Sequence, residues 1–223
     1  MKVRIWDLPT RLFHWLLAAA VLGLFVSGKV GGNAMVWHFR FGYAVLALLL
    51  FRVLWGLVGG RWSRFSSFSL GPAAIWAYLR GRAGLLQTVG HNPLGSLSVL
   101  ALLALLGAQV GSGLFADDEI FNAGPLAPLV ASETSQRLTA WHTGPGELLV
   151  MGWIALHVAA ILFHRLHAGR NLLGPMLRGD KELAPEEARQ VPASADTPAT
   201  RALALLLLAA SAGAVMWLVR LGS

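Results

Sequence analysis

The chain has 223 residues, 56% of them hydrophobic and only 13% charged. With a mean hydropathy of +0.60, these proportions exclude a water-soluble domain and a disordered segment, and they describe an integral membrane protein. A formal charge of +7 would suit nucleic acid if it were concentrated in a patch, but its distribution assigns it another use.

Five stretches approach or exceed the ~20 apolar residues that cross ~30 Å of hydrocarbon at ~1.5 Å per residue. They lie near residues 12–28, 37–59, 94–115, 139–164 and 201–220. Lys2, Arg4 and Arg11 precede the first, which runs long and lacks a small-residue cleavage site, so it reads as a span rather than a signal peptide. A Gly-rich turn, Lys29 to Asn33, joins the first two spans. From Gly60 to Asn92 the aromatics Trp62, Phe65, Phe68, Trp76 and Tyr78 alternate with arginines and glycines, a composition suited to the headgroup region. The stretch Ala116 to Gln136 carries Asp117, Asp118, Glu119 and Glu133 around one hydrophobic patch. Residues 168–200 mix Pro175, Pro185, Pro192 and Pro198 with charges, which suits a mobile connection. The fifth span contains no histidine.

With the N-terminus inside, thirteen Lys and Arg fall on the inner side, four (Lys29, Arg40, Arg137 and Arg220) on the outer side, and Arg52 within a helix. That asymmetry orients the chain N-terminus in and C-terminus out. The basic excess therefore sets topology, and a nucleic-acid partner is not expected.

The chain has no cysteine, which excludes thiolate zinc sites, iron–sulfur clusters, disulfides and covalent c-type haem. Histidine inside a bilayer is costly and usually functional. Here four histidines pair by depth. His38 and His142 open the second and fourth spans on the outer side; His14 lies ~21 Å below the outer boundary of the first, and His157 ~22 Å below His142. Two imidazole pairs at two levels are what a helix bundle needs to hold two haems.

A lone histidine at a helix end is more often an interfacial residue than a ligand; the pairing by depth and the absence of cysteine reverse that preference. His164 and His167 fall at the inner headgroups and read as interfacial polar residues; His91, in an inner loop, reads as a surface residue, the alternative being contact with a haem propionate or a quinone. A transporter with histidines along a proton or metal path is the non-haem alternative.

At these residues the sequence resembles a known family. WDLPTRLFHW (Trp6 to Trp15), HFRFG (His38 to Gly42), RVLWGLVGG (Arg52 to Gly60), GHNPLGSLSVLALLAL (Gly90 to Leu105) and ALHVAAILFHR (Ala155 to Arg165) are similar to bacterial di-haem b-type cytochromes. This cytochrome b-561 group is related to the b-subunits of membrane nickel–iron hydrogenases. The resemblance covers roughly residues 3–180. It implies an all-α, four-helix bundle with two b haems and electron exchange with the quinone pool, and its ligand pattern falls on His14, His38, His142 and His157. The expected organisation is a di-haem cytochrome domain over 1–175, a cytoplasmic linker over 176–200, and an additional transmembrane helix over 201–223. The family's pattern has one residue fewer between the two histidines of the fourth helix. A bulge or late helix start near Pro145 would absorb the extra residue here.

Further roles follow from physics. Gly42, one turn beyond His38, would let a porphyrin approach the backbone, or would serve ordinary helix packing. Arg52, 14 residues below His38, lies near the level of the inner haem. It would pair with a propionate or snorkel to the headgroups; the only acidic residue near that level in sequence is Glu147, which is closer to the outside. Ala209, Ala210, Ser211 and Gly213 would pack the fifth helix against a neighbour, in this chain or in a second copy forming a homodimer.

The sequence thus describes an inner-membrane electron carrier, linking ubiquinone in the membrane to a periplasmic redox protein such as a soluble cytochrome c. With both axial positions of each haem filled by imidazole, its chemistry is one-electron transfer. Two alternatives are the membrane anchor and electron-transfer subunit of a hydrogenase or dehydrogenase, and an enzyme with superoxide:quinone oxidoreductase activity.

Overall fold

A computed structural model of the chain describes residues 1–167 and 169–222. Among these, five helical segments are long and apolar enough to cross a membrane: Leu8–Val30, Gly32–Val58, Pro93–Leu114, Ser132–Leu166 and Pro198–Arg220. Each encloses or closely matches one expected span. Nearly all ordered structure is helical, and the exception is a two-stranded antiparallel pair.

In chain order the elements begin with strand β1 (Lys2–Arg4) and helices α1 (Leu8–Val30) and α2 (Met35–Val58). Next come a short α3 (Pro72–Leu79), α4 (Pro93–Leu114), α5 (Ser132–Thr143) and α6 (Pro145–Leu166). The chain closes with α7 (Leu173–Arg178), β2 (Asp180–Glu182), α8 (Pro185–Gln190) and α9 (Pro198–Arg220). Asp7 caps α1 by accepting the amide of Thr10 at 2.8 Å, while Pro9 in the first turn removes a donor that would otherwise lack a partner.

Two expectations are corrected. His142 does not open the fourth long helix. It sits in the last turn of the separate helix α5, and α6 begins at Pro145. Proline disfavours helical geometry in the preceding residue and supplies no amide proton, so the helix breaks at Gly144 (φ −124°, ψ −106°). Residues 169–200, whose composition suits a mobile connection, instead carry α7, β2 and α8. Pairing of Lys2 with Glu182, Val3 with Lys181 and Arg4 with Asp180 ties this stretch to the N-terminus. Arg4 bonds Asp180 at 2.6 Å and Asp196 at 2.7 Å, contacts too distant in sequence for composition to reveal.

The chain forms two compact units. Unit 1 comprises Met1–Phe13, Arg52–Ala101 and Leu156–Leu207. Its core joins Val3, Ile5 and Trp6 to Trp62, Val89 and Val191. Trp62, an expected headgroup residue, is buried there and donates its indole N–H to the Pro192 carbonyl at 2.8 Å.

Unit 2 comprises His14–Phe51, Leu102–Ala155 and Leu208–Ser223. Ala20 and Val21 of α1, Val45 and Leu49 of α2, Leu106 and Val110 of α4, and Val150 of α6 form its core, so four helices close on one another. Their other faces expose Leu16, Leu22, Val26, Leu148 and Met151, as helices immersed in hydrocarbon do. Of the small residues on α9, Ser211 is buried while Ala209, Ala210 and Gly213 face outward.

Candidate functional site

Unit 2 brings two of the sequence-derived site residues together. His38, in the first turns of α2, and His142, at the end of α5, have ring centroids 6.0 Å apart and planes inclined by 89°. Each ring is fixed from a different helix. His38 Nδ1 lies 3.0 Å from the carbonyl oxygen of Leu24 on α1, and His142 Nδ1 lies 2.8 Å from that of Gln109 on α4. A carbonyl oxygen only accepts, so both Nδ1 atoms carry the proton, and each Nε2 keeps its lone pair. That tautomer, with its Nδ1 proton given to a main-chain carbonyl, is typical of a metal-binding imidazole.

Gln109 and Ser112 are site residues that the sequence did not single out. The Gln109 side-chain amide donates to the His142 carbonyl at 2.7 Å. Ser112 Oγ donates to the Gln109 carbonyl at 2.9 Å and sits 3.3 Å from His142 Nδ1. Two glycines make room for the rings. A Cβ on Gly113 would lie 2.7 Å from His142 Cε1, and one on Gly28 would lie 3.1 Å from His38 Nδ1. Their only signal in sequence was glycine within an apolar helix.

The two rings share a cavity of about 360 Å³, lined mainly by apolar side chains of α1, α2, α4 and α6. Gly42 is on its wall, where an added Cβ would meet only Leu24, at 3.9 Å. Glu147 also lines it but is paired with Lys29 at 2.6 Å, so Glu147 is not the counter-charge of Arg52.

The carboxylate whose field reaches Arg52 is Asp7 in unit 1. Asp7 is fully buried and takes hydrogen bonds from Ser63 Oγ at 2.6 Å, the Thr10 amide at 2.8 Å and Trp55 Nε1 at 3.2 Å. Its carboxylate fills the space a Gly60 side chain would occupy, and its field reaches Arg52. Sequence distance hid this electrostatic relation. Arg52 is 3% exposed and stacks over Phe65, 4.7 Å from the ring centroid; its Nη1 is buried without a hydrogen-bond partner among the described residues. A buried guanidinium nitrogen of this kind fits an anionic group such as a carboxylate.

His14 and His157 are half-buried, His14 on α1 in unit 2 and His157 on α6 in unit 1. His91, expected at the surface, is half-buried between Trp6 (4.6 Å) and Phe68 (5.2 Å); neither partner is near it in sequence. His164 Nε2 lies 3.4 Å from the Tyr78 hydroxyl, and His167 is exposed and stacks on Phe163 at 5.2 Å.

Imidazole–metal bonds of about 2 Å would set two ring centroids about 6 Å apart, so the spacing, the tautomer and the apolar walls fit a haem iron held between His38 and His142.

Comparison with known proteins agrees with this chemistry. A family model described as prokaryotic cytochrome b561 matches residues 5–179. A probable Ni/Fe-hydrogenase B-type cytochrome subunit of Azotobacter vinelandii is 27% identical over 217 residues, covering 79% of this chain and 87% of the relative. One of the same description from Cupriavidus necator is 24% identical, with 78% and 85% covered. The probable Ni/Fe-hydrogenase 1 B-type cytochrome subunit of Escherichia coli is 22% identical, with 78% and 88% covered. No solved structure matches the chain. By a match that runs through most of its length, the chain belongs to the prokaryotic cytochrome b561 family: it is a multi-pass membrane cytochrome that uses b-type haem to transfer electrons.

Proposed function

We propose that this cytochrome carries electrons across the membrane through two b haems, between quinone in the bilayer and a redox protein at the outer face. The observation that carries the reading is the pair His38–His142, 6.0 Å apart with both Nδ1 atoms committed to carbonyl oxygens. That pair would hold the outer haem, and His14 with His157 the inner one, by their matching depths in the sequence.

Haem bound by two imidazoles supplies reversible one-electron redox chemistry with no open coordination site. The protein's part is to hold the rings, exclude water and set the local charge. Leu24 and Gln109 hold the rings through their carbonyls, and Val21, Leu106, Val110 and Val150 keep water out. Arg52, with a buried Nη1 and Asp7 as counter-charge, would receive a propionate near the inner haem. The basic side of the chain faces the cytoplasm of a bacterial inner membrane, by the thirteen-to-four distribution of Lys and Arg.

The names of these relatives favour a second reading of the partner. Each is a cytochrome subunit of a hydrogenase, so the outer partner would be a hydrogenase-like enzyme rather than a free carrier. Co-purification with a hydrophilic metalloprotein would select that reading.

The test is haem stoichiometry. The purified chain should show a reduced-minus-oxidised b-type spectrum with two haems. His38→Ala or His142→Ala should remove one haem, and His14→Ala or His157→Ala the other. If all four variants retain both haems, the ligand assignment is wrong.

A further inference from the structure

The loop between α4 and α5 is built to hold two apolar side chains in solvent. Asp118 accepts hydrogen bonds from the amides of Ile120 (3.0 Å), Phe121 (2.9 Å) and Asn122 (2.8 Å), and from the Asn122 side chain at 2.6 Å. Asp117 takes the Glu119 amide at 2.8 Å, and the Asp117 amide donates to Thr139 on α5 at 2.9 Å. The Glu119 carboxylate is in turn held by Gln136 at 2.5 Å. This lacing keeps Glu119 in the left-handed region at φ 58°, a conformation that costs a non-glycine residue roughly 1–2 kcal/mol. The result is a fixed tip on which Ile120 is 74% and Phe121 92% exposed.

The same loop belongs to the candidate haem site. Asp117, Asp118 and Asn122 line the cavity that holds His38 and His142. An aromatic anchor beside a redox centre, ringed by like charge, has the anatomy of a docking site: apolar contact supplies affinity and the charges supply steering.

We propose that Ile120 and Phe121 form the docking point for a basic, water-soluble one-electron carrier, with Asp117, Asp118 and Glu119 steering its approach. The proposal rests on electron exchange at the outer haem described above. One electron leaves the iron of one protein and is gained by the iron of the other, with no bond made and no proton moved. The carboxylates decide against lipid as the occupant. Anionic headgroups repel them, and desolvating them is costly. Asp118 stays ionised because the amides and side chain of Asn122, then Phe121 and Ile120, hold its carboxyl well below the usual carboxylate range.

The probe is oxidised cytochrome c, a basic one-electron acceptor, mixed in a stopped-flow cell with the full-length protein reduced by dithionite and then freed of excess dithionite. The wild type should react at a rate that falls as salt rises. The double variant Ile120→Ser/Phe121→Ser should react roughly ten-fold more slowly, as loss of an aromatic anchor implies, with its haem spectrum and content unchanged. A double variant as fast as the wild type, or a haem-loaded wild type that does not react, overturns the docking site. So does a Phe121→Trp variant that loses more fluorescence to brominated phosphatidylcholine in vesicles than the wild type's own nine tryptophans do, since that excess places the tip in lipid. A wild type without haem absorbance sinks the functional reading itself, which separates the two failures.

Discussion

His142 and Gln109 are bonded twice. The imidazole gives its Nδ1 proton to the Gln109 carbonyl at 2.8 Å, and the Gln109 side-chain amide donates to the His142 carbonyl at 2.7 Å. Reciprocal bonding of this kind fixes the end of α5 as well as the ring. Gln109→Ala removes one half of it and leaves the main-chain acceptor in place. One of the two proposed haems should then be held about ten-fold more weakly, the low end of what loss of an outer-shell partner costs. The rate of haem transfer to apomyoglobin measures this, and a rate equal to the wild type's would remove Gln109 from the site.

Gly113 offers a steric version of the same test. Its missing Cβ would fall 2.7 Å from His142 Cε1, and a ring fixed from two sides has little room to yield. Gly113→Ala should cost about 1–3 kcal/mol through displacement of the imidazole and abolish one haem signal while sparing the other. Gly28→Ala, whose Cβ would stand 3.1 Å from His38 Nδ1, should have a milder effect. Pyridine haemochrome counts on both variants decide the order.

How far these features were legible in the sequence follows from their range. The five spans are readable because hydrocarbon imposes one length and one composition on every segment that crosses it. His38 and His142 are readable as a pair because both fall at the outer ends of apolar stretches, although His142 closes α5 and does not open the fourth long helix. The break at Gly144 was half visible: Pro145 marks where a helix must start, but nothing local shows that the preceding residues Ser132–Thr143 form a helix of their own. Asp7 was missed as the counter-charge of Arg52 because the two lie 45 residues apart and on different elements. The order of residues 169–200 was missed for the same reason, since Arg4, Ile5 and Trp62 supply its partners.

Arg52 should tune one haem and not the other. A nearby positive charge favours the reduced iron, which carries one unit less charge. Arg52→Gln should therefore lower the midpoint potential of one haem, on the order of 60 mV for a tenfold change in a one-electron equilibrium. Arg52→Lys keeps the charge and should restore part of the shift. Asp7→Asn acts with the opposite sign, since it leaves Arg52 uncompensated and should raise the same potential. Redox titration followed optically reads all three, and equal shifts in both haems would argue against a local role.

His164 and the proposed ligand His157 lie on one helix, α6, yet they should behave differently. His164 Nε2 is 3.4 Å from the Tyr78 hydroxyl in unit 1. His164→Ala should leave the haem count unchanged, whereas His157→Ala should lower it by one. Loss of haem from the His164 variant would move the inner ligand along α6 by two turns.

Asp196 gives unit 1 a pH-dependent clasp. Burial alone would push its carboxyl up, but Arg201 at 2.8 Å, Arg4 at 2.7 Å and the amide of Leu8 together hold it below the usual value. A carboxyl whose folded pKa lies below its unfolded one, about 3.9, stabilises the fold fully above the unfolded value. That contribution is lost as pH falls through the lower, folded value. The partners are partly exposed, with 30% and 47% of their side-chain surface accessible, so solvent screening limits the contribution to about 1 kcal/mol. Asp196→Asn should thus lower the melting temperature by roughly 2–4 °C at neutral pH. The gap between variant and wild type should close as pH drops below about 3.9. A gap that stays constant down to acid pH would show that the loss comes from packing and not from the charge.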